Sequence, residues 1–314
     1  MEIWKKLVKI ISALFALLVI VFVLLGTYNQ AALKQEQGKL LPKGQLVDIE
    51  DSQIHVYSEG EKNNAPILVF LSGSGTTAPV YDFKPLYHLL SDDFQIAVVE
   101  KPGYGYSDKT DLDRDIERIV EELRAGLKGT KMEGPYILLA HSMSGLEAVY
   151  WAQKYPDEVA GIAGLDMAVP NSYDDFGFDE AKNRINLTSL SVKLGLLRIP
   201  GIYPLQTASL SEKEIGQQKL LMYKNAANEI YLKEMSFIKQ NVEKIKTGRH
   251  IDCPMILFSS DGKEIGDFWI SAQKNYAKEN QVEHIQYDAG HYLHHFKSKE
   301  IGGEIKAFVN KVNK

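Results

Sequence analysis

One cysteine, Cys253, stands in 314 residues. Its isolation excludes an internal disulfide and any metal site built on clustered thiolates. It falls just before the apolar run Met255 to Phe258, where a thiol is an inert core group. An excess of basic charge is also missing, since 36 Lys and Arg face 41 Asp and Glu, a formal net charge of −5. No cationic stripe interleaved with aromatics occurs, so no nucleic-acid partner is expected. Spacings such as His-Glu-x-x-His are absent, and neither a metal nor a cofactor is expected. Otherwise the composition is that of an ordinary globular protein, 45% hydrophobic and 25% charged, in a chain long enough for one large domain with an insertion.

Long apolar runs are scarce, with one exception. Ile10 to Gly26 is apolar apart from Ser12, and Leu7 and Val8 extend it across Lys9. About 20 apolar residues cross a bilayer. Lys5, Lys6 and Lys9 precede the run, as expected for a cytoplasmic N-terminus. A cleaved signal peptide is the rival reading, but its apolar region is shorter and Tyr28-Asn29-Gln30-Ala31-Ala32 is a poor cleavage site. The expectation is an uncleaved single-pass anchor with the remaining chain extracytoplasmic. Lysines 34, 39 and 43 on the far side weaken that orientation. Ala31 to Gly44, polar and rich in Lys and Gln, reads as a tether, which closes an N-terminal unit of residues 1–45.

Leu46 to Glu50 and Ile54 to Ser58 alternate apolar and polar residues across Asp51-Ser52, the pattern of a hairpin. Continuous apolar runs follow at Ile67 to Leu71, Ile96 to Val99, Tyr136 to Ala140 and Ile162 to Leu165. Helical patterns over Val80 to Leu90, Leu112 to Leu127 and Leu146 to Tyr155 separate them. Such alternation predicts a mostly parallel sheet covered by helices on both faces. Residues 46–167 and 251–314 fit this α/β core, the latter with strands at Met255 to Phe258 and Val282 to Tyr287 and a helix at Ile301 to Val312. Residues 168–250 have no strand pattern, and helical periodicity runs through Leu187 to Leu197 and Glu214 to Ile245. This block reads as an inserted helical lid or as extra core helices.

Chemistry concentrates at Ala140-His141-Ser142-Met143-Ser144-Gly145, between a strand and a helix. A serine on a sharp strand-to-helix turn has its Oγ exposed and its backbone strained by about 1–3 kcal/mol. Its hydroxyl is a poor nucleophile without a base. His291, in Asp288-Ala289-Gly290-His291-Tyr292 after the last strand, is the best of eight histidines. His141, His294 and His295 read as neighbours of the site or surface groups, and His55, His88, His250 and His284 as bland. The imidazole needs an acceptor for its second N–H. Asp261, in Ser259-Ser260-Asp261-Gly262, leads; Asp166, ending the sixth strand, is the alternative, and Glu264 stands third. Oxyanion donors are expected from the backbone N–H groups of Met143 and of Ser74, in Leu71-Ser72-Gly73-Ser74-Gly75. That glycine-rich loop lacks the lysine of a phosphate-binding loop.

Together these segments resemble the α/β-hydrolase superfamily, in its capped lipase/esterase-like branch, from about Leu46 to Val312. Ser72 to Gly75 resembles the His-Gly-x-Gly oxyanion loop, and Lys101-Pro102-Gly103-Tyr104-Gly105-Tyr106-Ser107 the Arg-Pro-Gly-x-Gly-x-Ser turn. Ala140 to Ser144 matches the Gly-x-Ser-x-Gly elbow with small residues in place of glycines, and Gly290-His291 matches the Gly-His motif. Ser72 and Lys101 depart from the usual histidine and arginine, and Asp261 falls one position early for the family's acid. A serine at the elbow separates the chain from dehalogenases and epoxide hydrolases, which resemble this fold but attack with aspartate. Proline iminopeptidases usually carry a Gly-Gly-x-Gly loop.

The resemblance implies an α/β-hydrolase fold with an inserted helical lid, and the apolar run adds a transmembrane helix ahead of it. It implies a serine hydrolase of a small or lipid-like carboxylic ester, acting through Ser142, His291 and an acid. An amidase, peptidase or acyltransferase would use the same groups, and a binding protein could share the scaffold. Phe176, Phe178, Leu187, Leu190, Leu194, Leu197, Ile202 and Tyr203 suggest either an acyl-chain pocket or the glue between lid and body.

Overall fold

Short, wholly apolar segments form the centre of a sheet because both of its faces are covered. The computed structural model describes residues 1–203 and 205–313. Among the described residues the strands are β1 (Gln45–Ile49), β2 (Ser52–Glu59), β3 (Ile67–Leu71), β4 (Ile96–Glu100), β5 (Tyr136–His141), β6 (Val159–Leu165), β7 (Met255–Ser259) and β8 (Glu283–Gln286). They form one sheet in the order β1-β2-β4-β3-β5-β6-β7-β8. β1 and β2 pair antiparallel, as does β2 with β4, and the other pairings are parallel.

The helices are α1 (Glu2–Gln37), α2 (Pro79–Asp82), α3 (Lys84–Leu90), α4 (Ile116–Gly129), α5 (Ser144–Lys154), α6 (Phe178–Lys193), α7 (Glu212–Asn225), α8 (Glu229–Lys246), α9 (Asp267–Glu279), α10 (Leu293–Phe296) and α11 (Ser298–Val312). Alternate strand residues face opposite layers. Val69, Leu138 and Ala140 pack with α4, α5 and α9, whereas Leu68, Phe70 and Leu139 pack with α3 and α11. Crossovers between parallel strands bring the ends of β3, β5, β6, β7 and β8 to one edge. Ligands bind at that edge in open α/β sheets.

Several boundaries differ from the sequence pattern. The expected tether is helical as far as Gln37, since Ala, Gln, Lys and Glu are strong helix formers and Asn29 is buried against the protein. The 80–90 segment breaks at Phe83, where Pro85 opens a second helix. The 187–197 periodicity ends as a helix at Lys193, because Gly195 takes φ +72°. The 214–245 pattern is two helices, α7 and α8, separated at Ala227 (φ 44°) and restarted by Asn228, whose side chain accepts from Ile230 N–H.

Candidate functional site

Ser142 follows β5 and precedes α5, with φ 54°. A non-glycine residue there is strained, and neighbouring contacts must hold it. The Ser142 carbonyl accepts from Ala168 N–H at 2.7 Å and Gly145 N–H at 3.0 Å. Ser144 donates its hydroxyl to Leu71 O at 2.7 Å and His141 O at 2.8 Å, pinning the turn to the end of β3. A glycine in its place would lose both bonds. A Cβ at Gly145 would stand 2.1 Å from Ala168 O, so α5 can approach β6 only with glycine there. A Cβ at Gly73 would stand 2.5 Å from Ser142 Cβ and 3.2 Å from its Oγ. The glycine-rich loop therefore lies directly against the serine hydroxyl. Gly73→Ala is expected to displace that hydroxyl and lower turnover by about 10²-fold with little change in folding; steady-state kinetics beside a thermal melt would check it.

His291 follows β8 on a loop, and its Nδ1 lies 2.6 Å from Asp166 Oδ2. Asp166 is fully buried just past β6, at φ 46°. Its other oxygen accepts from Ser260 N–H at 2.9 Å and Gln273 Nε2 at 3.1 Å. The expected leading partner, Asp261, is not the one that meets the imidazole. Its carboxylate turns to the backbone and ammonium of Lys263. Glu264, the third candidate, accepts the backbone N–H of His291 at 3.0 Å and so holds the histidine loop. The residue beside Ser142 touches His291 directly: the rings of His141 and His291 are 4.6 Å apart, and His141 Nε2 lies 3.2 Å from His291 O. Ser142, His291 and Asp166 thus converge on one edge with the 72–75 loop. Met143 is the first residue of the turn into α5, where backbone N–H groups have no partner within the helix.

A family model described as alpha/beta hydrolase fold matches residues 66–187. A loop variant of the haloalkane dehalogenase DbeA from Bradyrhizobium elkanii superposes with a TM-score of 0.62 at 18% identity, covering 85% of this chain and 96% of that one. The chain is an α/β-hydrolase-fold protein. The structural likeness, at that identity, speaks for the fold alone. An uncharacterized protein of Bacillus subtilis, YbdG, is 41% identical over 184 residues, which are 58% of this chain and 56% of the relative. The 2-(acetamidomethylene)succinate hydrolase of Mesorhizobium japonicum is 34% identical over 107 residues, 34% of this chain and 37% of that one. The alignments thus span little more than half of the first relative and about a third of the second.

Within this hydrolase fold, two clusters escaped the sequence reading. Asp82 receives His294 Nε2 and His295 Nε2, each at 3.0 Å, on separate oxygens. Their ligand atoms lie within 4.8 Å of one another, a set that could hold a metal ion. The spacing is invisible in sequence because Asp82 and His294 are 212 positions apart. Burial opposes ionisation of Asp82, yet the two imidazoles hold its carboxyl far below the usual range. Burial holds His294 below the ordinary imidazole range, and burial followed by the nearby His291 holds His141 well below it. Both rings therefore bind a proton less readily in the fold than when unfolded. Stability should fall as pH drops below about 6.5, by at most about 1.4 kcal/mol per pH unit for each imidazole. Denaturation midpoints between pH 7.5 and 5 would test this, and removal of His141 should flatten the slope.

Lys101 is also buried, and it binds Glu147 of α5 at 2.5 Å and Glu234 of α8 at 3.5 Å. Tyr104 donates to Glu234 at 2.5 Å. Burial alone would lower the Lys101 pKa, but the two carboxylates raise it, so the ammonium persists. The lysine that replaces the resembling family's arginine ties the turn after β4 to both the elbow helix and the inserted helices.

The inserted apolar residues divide by role. Phe176 and Phe178 pack on Tyr173 and the main core, and Leu197 is buried with Met222 and Tyr223. Leu187, Leu190, Ile202 and Tyr203 are exposed. A cavity of about 330 Å³ lies between Gly75 and Thr76 of the glycine-rich loop, Tyr292 beside His291, and Tyr203 and Phe296.

Proposed function

We propose that this protein is a serine-dependent hydrolase of a carboxylic ester, held at a membrane by α1. The carrying observation is the buried Asp166 carboxylate 2.6 Å from His291 Nδ1, on the edge where Ser142 stands strained. Ser142 Oγ attacks the ester carbonyl while His291 Nε2 takes its proton. Asp166 fixes the tautomer through Nδ1–H and stabilises the imidazolium. The N–H groups of Ser74 and Met143 receive the developing oxyanion, each worth about 3–4 kcal/mol in the transition state. His291 returns the proton to the departing alcohol, and water activated by the same imidazole releases the acid. Residues 168–250 serve as the lid, and the cavity beside Gly75 accepts part of the substrate. Lys5, Lys6 and Lys9 ahead of the apolar run support a hydrolase body outside the cytoplasm.

A fluorophosphonate probe should label the native protein covalently and leave Ser142→Ala unlabelled. Absence of native labelling would sink the serine mechanism and favour a binding protein. Amide cleavage is a second reading, because the same groups would serve it and one relative is a hydrolase of an acetamido compound, 2-(acetamidomethylene)succinate. A panel of matched esters and amides separates the two by their relative kcat/KM.

A further inference from the structure

The apolar stretch of α1 makes no burial contact with the rest of the chain through Leu25, and protein contact begins at its end. Gly26 is partly covered, with Lys193 O 3.9 Å from the position of its absent Cβ. Asn29 is buried, and its Nδ2 donates to Val192 O at 2.9 Å and to Lys193 O at 3.3 Å. Arg198 donates Nε to Asn29 Oδ1 at 2.7 Å and holds both oxygens of Glu36 at 2.7 and 2.8 Å. Leu33 packs beside Leu197 and Val192. One stripe of α1, at positions 26, 29, 33 and 36, is therefore docked on the end of α6 and the turn after it.

At 1.5 Å per residue, Asn29 stands about 5 Å beyond Gly26, and Leu7 to Gly26 spans about 30 Å, the thickness of a bilayer core. A helix that crosses the membrane over those residues must hold the Val192–Arg198 segment at the lipid interface. Leu187, Leu190, Ile199, Ile202 and Tyr203 flank this anchoring point and are exposed by 68, 54, 51, 55 and 42%. Such a concentration of exposed large apolar side chains marks an interaction surface. Lys34 and Lys193, both exposed, stand beside the helix exit, where anionic headgroups would lie. Tyr203 belongs both to this patch and to the cavity that reaches Gly75 and Tyr292.

We infer that the 187–203 face of the inserted helices is a lipid-docking surface, rigidly set by the Asn29, Glu36 and Arg198 contacts, and that the cavity opens toward the bilayer. The substrate is then an amphiphilic ester drawn from the membrane, with its acyl or alcohol chain entering past Tyr203. This substrate class rests on the ester-hydrolase reading above, whereas the docking itself does not.

Two measurements on the full chain in phosphatidylcholine/phosphatidylglycerol vesicles test it. A nitroxide on Ile202→Cys in a Cys253→Ser background should be more accessible to oxygen than to a water-soluble nickel complex. The same label at Lys62→Cys, in the loop entering β3 at the opposite sheet edge, should show the reverse. Preference for nickel at position 202 would overturn the docking surface. The Leu190→Glu/Ile202→Glu variant should lose about tenfold or more of its turnover on vesicle-embedded ester. It should keep its turnover on a soluble short-chain ester, because both side chains are exposed. Equal loss on both substrates would overturn delivery from the bilayer. A bilayer-seated nitroxide on a protein that no fluorophosphonate labels would leave docking intact and remove only the hydrolase reading.

Discussion

Asp166→Asn is expected to lower kcat on a chromogenic ester by about 10⁴-fold, while Asp261→Asn changes it by less than about twofold. Asparagine keeps the shape of the buried side chain but removes one acceptor. The His291 Nδ1–H that now meets Asp166 Oδ2 at 2.6 Å would meet an amide, which favours the tautomer with Nδ1 bare and Nε2 protonated. An imidazole in that state cannot accept the Ser142 proton. The Asp166 oxygen bonded to Ser260 N–H and Gln273 can remain an acceptor, so the variant should still fold. Asp261 holds only Lys263 at the surface. Rate constants for the two variants, with melting curves to show that both are native, decide the assignment. A larger loss in Asp261→Asn would remove Asp166 from the proposed triad.

Lys101→Met should cost about 3–5 kcal/mol of stability, the usual consequence of removing one partner from a buried ionic cluster. Methionine fills similar volume, so cavity formation adds little. The cost comes from Glu147 and Glu234, both almost wholly buried, left without the ammonium that now lies 2.5 and 3.5 Å from them. Because Glu147 belongs to the helix that starts at the elbow and Glu234 to an inserted helix, the variant should loosen the two together. A melting temperature lowered by on the order of 10 °C, followed by circular dichroism, is the expected reading. Lys101→Met combined with Glu147→Gln should recover part of the loss, because it removes one of the stranded charges. A single variant melting within a degree or two of the native protein would show that the cluster contributes little.

The local parts of this fold were legible in the sequence. Continuous apolar runs at 67–71, 96–99 and 255–258 are strands because they are covered on both faces. The alternation around Asp51 marks the hairpin. Ser142 was legible because small residues between a strand and a helix leave one sharp turn, and that turn carries the positive φ. His291 was legible from its place after the last strand. The length of α1 was legible only in part: the apolar run set the span, but Ala31 to Gln37 is helical because Asn29, Leu33 and Glu36 find partners on the inserted helices.

Which carboxylate meets His291 is visible only in three dimensions. Asp166 and Asp261 follow neighbouring parallel strands and both reach the same edge, and position along the chain favoured Asp261, the one that does not meet the imidazole. Register separates them. Leu165 pairs with Phe258, and Asp166 N–H donates to Phe258 O at 2.7 Å, which leaves the Asp166 carboxylate inside, under the histidine loop. Asp261 lies further along its loop, its N–H on Ala289 O and its side chain turned outward to Lys263. The Asp82 cluster and the Lys101 network likewise join residues from distant parts of the chain. The sequence by itself determined which elements form and where the elbow serine and the loop histidine fall along them, since periodicity and turn strain act between near neighbours. Only the tertiary structure decided which carboxylate meets the imidazole, which charges are buried together and which face accompanies the N-terminal helix, because those choices depend on strand register and on helix contacts that no local pattern encodes.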